Sequence, residues 1–113
     1  MINILVLGAT GYIGGKLVPR LLEQGHKVRC LVRDPKKISG KKWYGVEVIR
    51  GDVLRKETLS LAFKNVDLIF YLIHSMTTGG NDFDIQDRLA AMNVQAAVDE
   101  AGVSRFVYLG GLG

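Results

Sequence analysis

Ile2-Asn3-Ile4-Leu5-Val6-Leu7-Gly8-Ala9-Thr10-Gly11-Tyr12-Ile13-Gly14-Gly15 follows the initial methionine. Its first half is an apolar run broken only by Asn3, and its second half carries glycines at positions 8, 11 and 14. Such a run predicts a short strand buried on both faces, and the glycines predict the tight turn that ends it. Beyond the turn, Ile13, Leu17 and Leu21 recur at helical spacing with Val18 and Leu22 beside them, and Gly25 follows as a C-terminal cap. A strand, a glycine turn and a helix in that order aim free backbone N–H groups and the positive end of the helix dipole at one point, which is the chemistry of an anion site. For a pyrophosphate, Gly8 would allow the tight turn, Gly11 the close approach of backbone to phosphate, and Gly14 the close packing of helix on strand. Thr10, Tyr12 and Ile13 complete the loop, with the pyrophosphate expected along Gly11 to Ile13.

Working outward, Val28–Val32, Val46–Ile49, Leu68–Ile73 and Arg105–Leu109 read as four further strands. Two more helices are predicted between them, a short one over Glu57–Phe63 and a long one over Asp82–Ala101. The long one carries Ile85, Leu89, Met92 and Ala96 at helical spacing, with Gly102 at its end. Strands apolar on both faces, alternating with helices, predict an α/β fold: a doubly wound parallel sheet of the Rossmann type, about five strands with helices on both faces. The 113 residues make one domain, and the composition, 48% hydrophobic and 23% charged, excludes disorder.

No apolar run approaches the roughly 18 residues of a membrane span, and the N-terminus has no secretory n-region, so a cytoplasmic protein with no membrane partner is expected. The lone Cys30 builds no disulfide framework and reads as a buried thiol. No metal site is expected. The net charge of +4 is uneven: residues 1–64 carry +8 and residues 65–113 carry −4. Arg29, Arg33, Lys36, Lys37, Lys41 and Lys42 face one acid, Asp34, in the densest stretch, which implies a phosphate-bearing partner or a solvated basic loop. No nucleic-acid motif accompanies these charges, and no nucleic-acid partner is expected. Arg33 and Asp34 stand about 20 residues past the glycines, where an acid would hold the ribose hydroxyl of NAD and an arginine the 2′-phosphate of NADP. Arg33 leads, since a guanidinium grips phosphate with two bonds, so NADP is preferred over NAD; the alternative is a solvated Arg33 with Asp34 capping the turn at Pro35.

Gly8-Ala9-Thr10-Gly11-Tyr12-Ile13-Gly14 resembles the fingerprint of the extended and atypical short-chain dehydrogenases/reductases, a group with NAD(P)-binding and nucleoside-diphosphate-sugar epimerase-like members. Gly51-Asp52-Val53, Tyr71-Leu72-Ile73-His74-Ser75-Met76, Asn93-Val94 and Tyr108-Leu109-Gly110-Gly111-Leu112-Gly113 are similar to the atypical subgroup, so the resemblance covers essentially the whole chain. It implies that Asp52 accepts from the adenine amino group with Val53 against the ring, and that Leu72, Ile73 and His74 lie near the nicotinamide ribose. From the residues alone, Asp52 is equally a turn acid and His74 a loop residue with one hydrogen bond, although its pKa makes it a conceivable proton carrier. Asn93 matches the helix asparagine with which the family supports its active site; the alternative is a polar residue facing solvent.

The family's Tyr-x-x-x-Lys catalytic pair follows the fifth strand, where this sequence stops. Tyr12-x-x-x-Lys16 matches only formally, because the cofactor would occupy the space a catalytic tyrosine needs. Gly110 or Gly111 stands where many relatives place an active-site serine. No established catalytic residue is therefore expected in this segment; His74 and Asn93 are the weak candidates. Residues 1–113 read as the N-terminal, NAD(P)-binding part of a longer oxidoreductase that transfers hydride to an unidentified small-molecule substrate. Alternatives are a non-catalytic NAD(P) sensor and a nucleotide-sugar epimerase. The uncovered fifth strand is expected to favour self-association.

Overall fold

The computed structural model describes residues 1–73 and 81–109. Its elements are β1 (Asn3–Leu7), α1 (Tyr12–Glu23), β2 (Lys27–Val32), α2 (Lys36–Ser39), β3 (Glu47–Arg50), a 3₁₀ turn (Lys56–Thr58), α3 (Leu59–Phe63), β4 (Leu68–Tyr71), α4 (Asn81–Ala101) and β5 (Arg105–Tyr108). All strand pairs are parallel, in the order β3-β2-β1-β4-β5. The chain winds outward from β1 to β3, crosses back over β1, and winds outward again through β4 and β5. This is the expected Rossmann-type α/β sheet, with its crossover between β1 and β4.

The core follows from the apolar run that opens the sequence. Ile4, Leu5, Val6 and Leu7 are all nearly inaccessible. Leu5 and Leu7 point to the face covered by α3 and α4, packing with Phe63, Ile69 and Val94. Ile4 and Val6 point to the opposite face, where Val18 and Leu21 of α1 meet Val28 and Cys30. Helix α1 runs unbroken through Pro19, and Gly25 ends it as expected, its N–H bonded to the Leu22 carbonyl while the His26 N–H reaches Leu21. Among the described residues no helix is long and apolar enough to cross a membrane.

Several boundaries and faces depart from the sequence reading. The segment predicted as one helix over 57–63 splits into a 3₁₀ turn and α3, because Thr58 Oγ1 is bonded to the backbone of Asp52 and Arg55 rather than standing free on a helix. Helix α2 was not predicted; Asp34 Oδ1 accepts the Lys36 N–H at 3.1 Å and starts it. β4 ends at Tyr71, two residues before the predicted end, although the Leu72 N–H still reaches Leu7 O at 2.8 Å. The spacing of Ile85, Leu89 and Met92 marks α4 as a helix, but all three are exposed; its buried face is Ala90, Asn93, Val94 and Ala97. Small side chains let α4 lie close to the sheet, and the larger ones are left outside. β5 is exposed along its whole length, with Phe106 and Tyr108 on the α4 face beside Tyr71, at ring separations of 5.9 and 5.3 Å.

Arg29 leaves the basic cluster in which the sequence groups it. Its Nε meets Glu47 Oε1 at 2.8 Å across β2 and β3, and its Nη1 donates to the Ala62 and Lys64 carbonyls, both at 2.7 Å. It thus closes the open C-terminal end of α3. Arg29→Met should lower unfolding free energy by about 1.5–3 kcal/mol, the range for hydrogen bonds from a charged group, as read from urea unfolding. The Cys30 thiol is buried, and burial pushes its pKa from 9.0 up to about 12. A raised folded-state pKa means a contribution to stability that is present below about pH 9 and lost as pH rises toward 12. Folded protein at pH 8 should accordingly resist thiol reagents that modify the urea-unfolded chain at once.

Candidate functional site

The turn after β1 has no room for side chains at two of its glycines. Gly8 has φ +94°, and a Cβ there would meet the Leu72 carbonyl carbon at 2.9 Å and the Ile73 nitrogen at 3.0 Å, so the β1 turn presses on the chain leaving β4. A Cβ on Gly14 would lie 2.6 Å from Ala9 Cα, Ala9 O and Gly8 O, so the first turn of α1 sits directly on the loop. The Gly11 N–H closes the turn on Gly8 O at 3.2 Å, and the first helical bond runs from the Gly15 N–H to Gly11 O. No side chain caps the helix and its first turn holds no acid. The N–H groups of Tyr12, Ile13 and Gly14 and the positive helix end are therefore available to an anion.

These groups open into a cleft of about 940 Å³ along the C-terminal ends of the strands, at the crossover between β1 and β4. Gly8, Thr10, Gly11 and Tyr12 line its middle. Toward β2 and β3 it is walled by Val32, Arg33, Asp34, Lys37, Asp52 and Val53, and toward β4 by Leu72, Ile73 and, from α4, Gln86, Asp87 and Ala90. Nine sequence-predicted site residues thus share one surface: Gly8, Thr10, Gly11, Tyr12, Arg33, Asp52, Val53, Leu72 and Ile73. Ile13 and Gly14 stand apart from the walls; the Ile13 side chain is exposed outside the cleft, and Gly14 is the packing surface under it. His74, Ser75, Gly110 and Gly111 lie outside the described residues.

Arg33 is exposed and makes no ion pair within the described residues, and Lys37, one turn on, joins it on the same wall. Asp34 is committed through Oδ1 to the start of α2, the turn-capping role the sequence allowed. Asp52 Oδ1 accepts the Leu54 N–H at 2.9 Å. Asn93 faces inward: it is buried and donates to Val53 O at 2.8 Å. Lys16 lies over the Tyr12 ring, 5.1 Å from its centroid, so this formal Tyr-x-x-x-Lys pair is an exposed cation–π contact. Burial, with Tyr108 and Asp87 nearby, raises the Tyr71 pKa, keeping that phenol neutral under the sheet edge. Sequence reasoning missed Lys37 as an individual residue, although the basic run contained it. Gln86, Asp87 and Ala90 gave no signal, since only the docking of α4 brings them to the cleft.

A glycine turn and an uncapped helix start at the crossover of a doubly wound parallel sheet define a dinucleotide-binding domain of the short-chain dehydrogenase/reductase type. The model of the NmrA-like family matches residues 2–111, and the chain belongs to that family as an NAD(P)-binding domain of the atypical short-chain type. It is 33% identical over 106 residues to the photosystem II assembly factor Ycf39 of Synechocystis sp., covering 94% of this chain and 32% of that protein. It is 36% identical over 114 residues to the isoflavone reductase homolog A622 of Nicotiana tabacum, covering 93% and 34%. A solved Rossmann-fold NAD(P)-binding family protein from Shigella flexneri superposes with a TM-score of 0.75 at 32% identity, covering 94% of this chain and 50% of that one. The chain spans about a third of the length of the curated relatives it matches.

The steric role of Gly14 is separable from ligand binding. Gly14→Ala should cost about 1–3 kcal/mol of stability through overpacking against Ala9, measured by urea unfolding in the absence of any nucleotide.

Proposed function

We propose that this domain binds NADP in preference to NAD and serves the cofactor half of a hydride-transfer reaction. The observation that carries the reading is the cleft at the crossover, with backbone donors at its middle and, at its β2 end, Arg33 beside Lys37 and without an ion pair among the described residues. In this reading the pyrophosphate lies along Gly11 to Ile13, held by the N–H groups of Tyr12 and Ile13, while the Gly11 N–H closes the turn on Gly8 O. Arg33 and Lys37 pair with the 2′-phosphate, and Asp52 accepts from the adenine amino group with Val53 against the ring. Asp34, the acid that would hold the ribose diol of NAD, is diverted to the start of α2, which favours NADP. The fit is supported by the two glycine positions at which a side chain would collide with backbone. When bound, the nicotinamide supplies the hydride donor or acceptor; the chain's residues bind and orient it, with Leu72 and Ile73 lining that end of the cleft.

Within the same reading, residues 1–113 form the N-terminal part of a longer polypeptide whose other residues handle a small-molecule substrate. The share of its relatives that the chain spans supports this, as does the exposure of β5 along its length. The reading includes a cytoplasmic setting, supported by a composition whose single cysteine builds no disulfide framework.

Arg33→Ala should weaken NADPH binding by roughly 1.5–3 kcal/mol and leave NADH nearly unchanged in titration calorimetry, with Lys37→Ala acting in the same direction. Equal weakening of both dinucleotides would overturn the NADP preference. Gly11→Val should abolish binding of both while the protein stays folded, because a Cβ at that position meets only Gly8 O, at 3.5 Å. Retention of either cofactor by that variant would remove the pyrophosphate from this loop.

A further inference from the structure

One buried polar side chain bridges the two walls of the cleft. Asn93 is 9% exposed, and its Nδ2 donates to Val53 O at 2.8 Å across 40 positions of sequence. A primary amide among Ala90, Val94 and Ala97 is costly unless it is bonded, and the Val53 carbonyl, on a residue that is also 9% exposed, would be costly without a donor. The rest of this turn is held from its own side of the sheet. The Gly51 N–H reaches Val32 O at 2.9 Å, the Asp52 N–H reaches Thr58 Oγ1 at 2.9 Å, and the Leu54 N–H reaches Asp52 Oδ1 at 2.9 Å. Among the described residues, the Asn93 amide is the hydrogen bond that ties the turn to α4, which forms the opposite wall through Gln86 and Ala90.

We infer that Asn93 is a positioning residue for adenine recognition: by holding the Val53 carbonyl it sets the orientation of the Asp52–Val53 edge that faces the cleft. The inference rests on the reading of the cleft as a dinucleotide site. Within the described residues, Asp52 leaves one carboxylate oxygen unbonded and the Val53 N–H makes no hydrogen bond. An acceptor and a donor thus stand on adjacent residues, a pattern complementary to the amino group and ring nitrogen of adenine. Holding Val53 O toward α4 fixes the backbone torsion of the residue that carries that donor, so loss of the bond lets the edge rotate while both groups remain present.

The test uses the full chain and two probes, NADPH and its hypoxanthine analogue, in which oxygen replaces the adenine amino group. Wild-type protein should prefer the adenine form, and Asn93→Leu should reduce that preference roughly fivefold, a partial loss of one hydrogen bond to a charged group. Asn93→Asp, of the same shape but with an acceptor facing the carbonyl, is read in parallel, with circular dichroism as the check on folding. Equal weakening of both probes in a folded variant would overturn the inference, as would failure of both variants to fold, which would make the bond a requirement of the fold itself. Wild-type protein that binds the two probes equally would overturn adenine recognition while leaving the cleft a dinucleotide site. Wild-type protein that binds neither would overturn the dinucleotide reading and this inference with it.

Discussion

Backbone meets backbone too closely for a side chain where β1 ends and α1 begins, and much of the structure follows from it. Two positions in that turn have no space for a Cβ: Gly14, against Ala9 and Gly8, and Gly8, against the chain leaving β4. The first lets the helix dock on the loop; the second brings the β4 end beside it at the crossover. Together they aim the open N–H groups of α1 into the cleft, a direction that any side chain there would displace by forcing the backbones apart.

Around this point the positive charges of the first half divide into two kinds of work. Arg29 points toward α3, where it stitches β2 and β3 to the helix end through Glu47 and two carbonyls. Arg33, four residues on and past the end of the strand, meets neither a carboxylate nor a carbonyl among the described residues and faces the cleft. The difference is one of place in the sheet: a strand-interior arginine finds backbone acceptors at the end of a packed helix, while one at the strand's C-terminal end reaches the space where a ligand would sit. Asp34, which in sequence competes with Arg33, is removed from that competition by the one-turn helix it starts.

Helix α4 shows how packing distance selects which residues matter. Its larger apolar side chains, Ile85, Leu89 and Met92, stand in solvent, and an alanine face with Asn93 and Val94 meets the sheet. That close approach brings Gln86, Asp87 and Ala90 to the cleft and carries the Asn93 amide to Val53. β5, in contrast, is exposed along its length, and among the described residues its aromatic rings pack on Tyr71.

The local sequence was enough for the strands, most helices, the parallel Rossmann class and the phosphate loop. Each depends on periods of two or 3.6 residues and on glycines whose effect is felt within a few positions. It was also enough to mark Arg33 for the cleft, because it follows the end of the second strand at a spacing the fold repeats; Asp52 and Val53 were marked by the family resemblance, their spacing alone fitting a turn equally well. What it left open needed distances between residues far apart in the chain. Only the tertiary structure separated Arg29 from Arg33, turned α4 by its small face, showed that Asn93 points inward, and added Lys37, Gln86 and Asp87 to the cleft. The physical reason is that side-chain pattern determines which element forms, whereas the volume between packed elements determines which of its faces is buried and what that face touches.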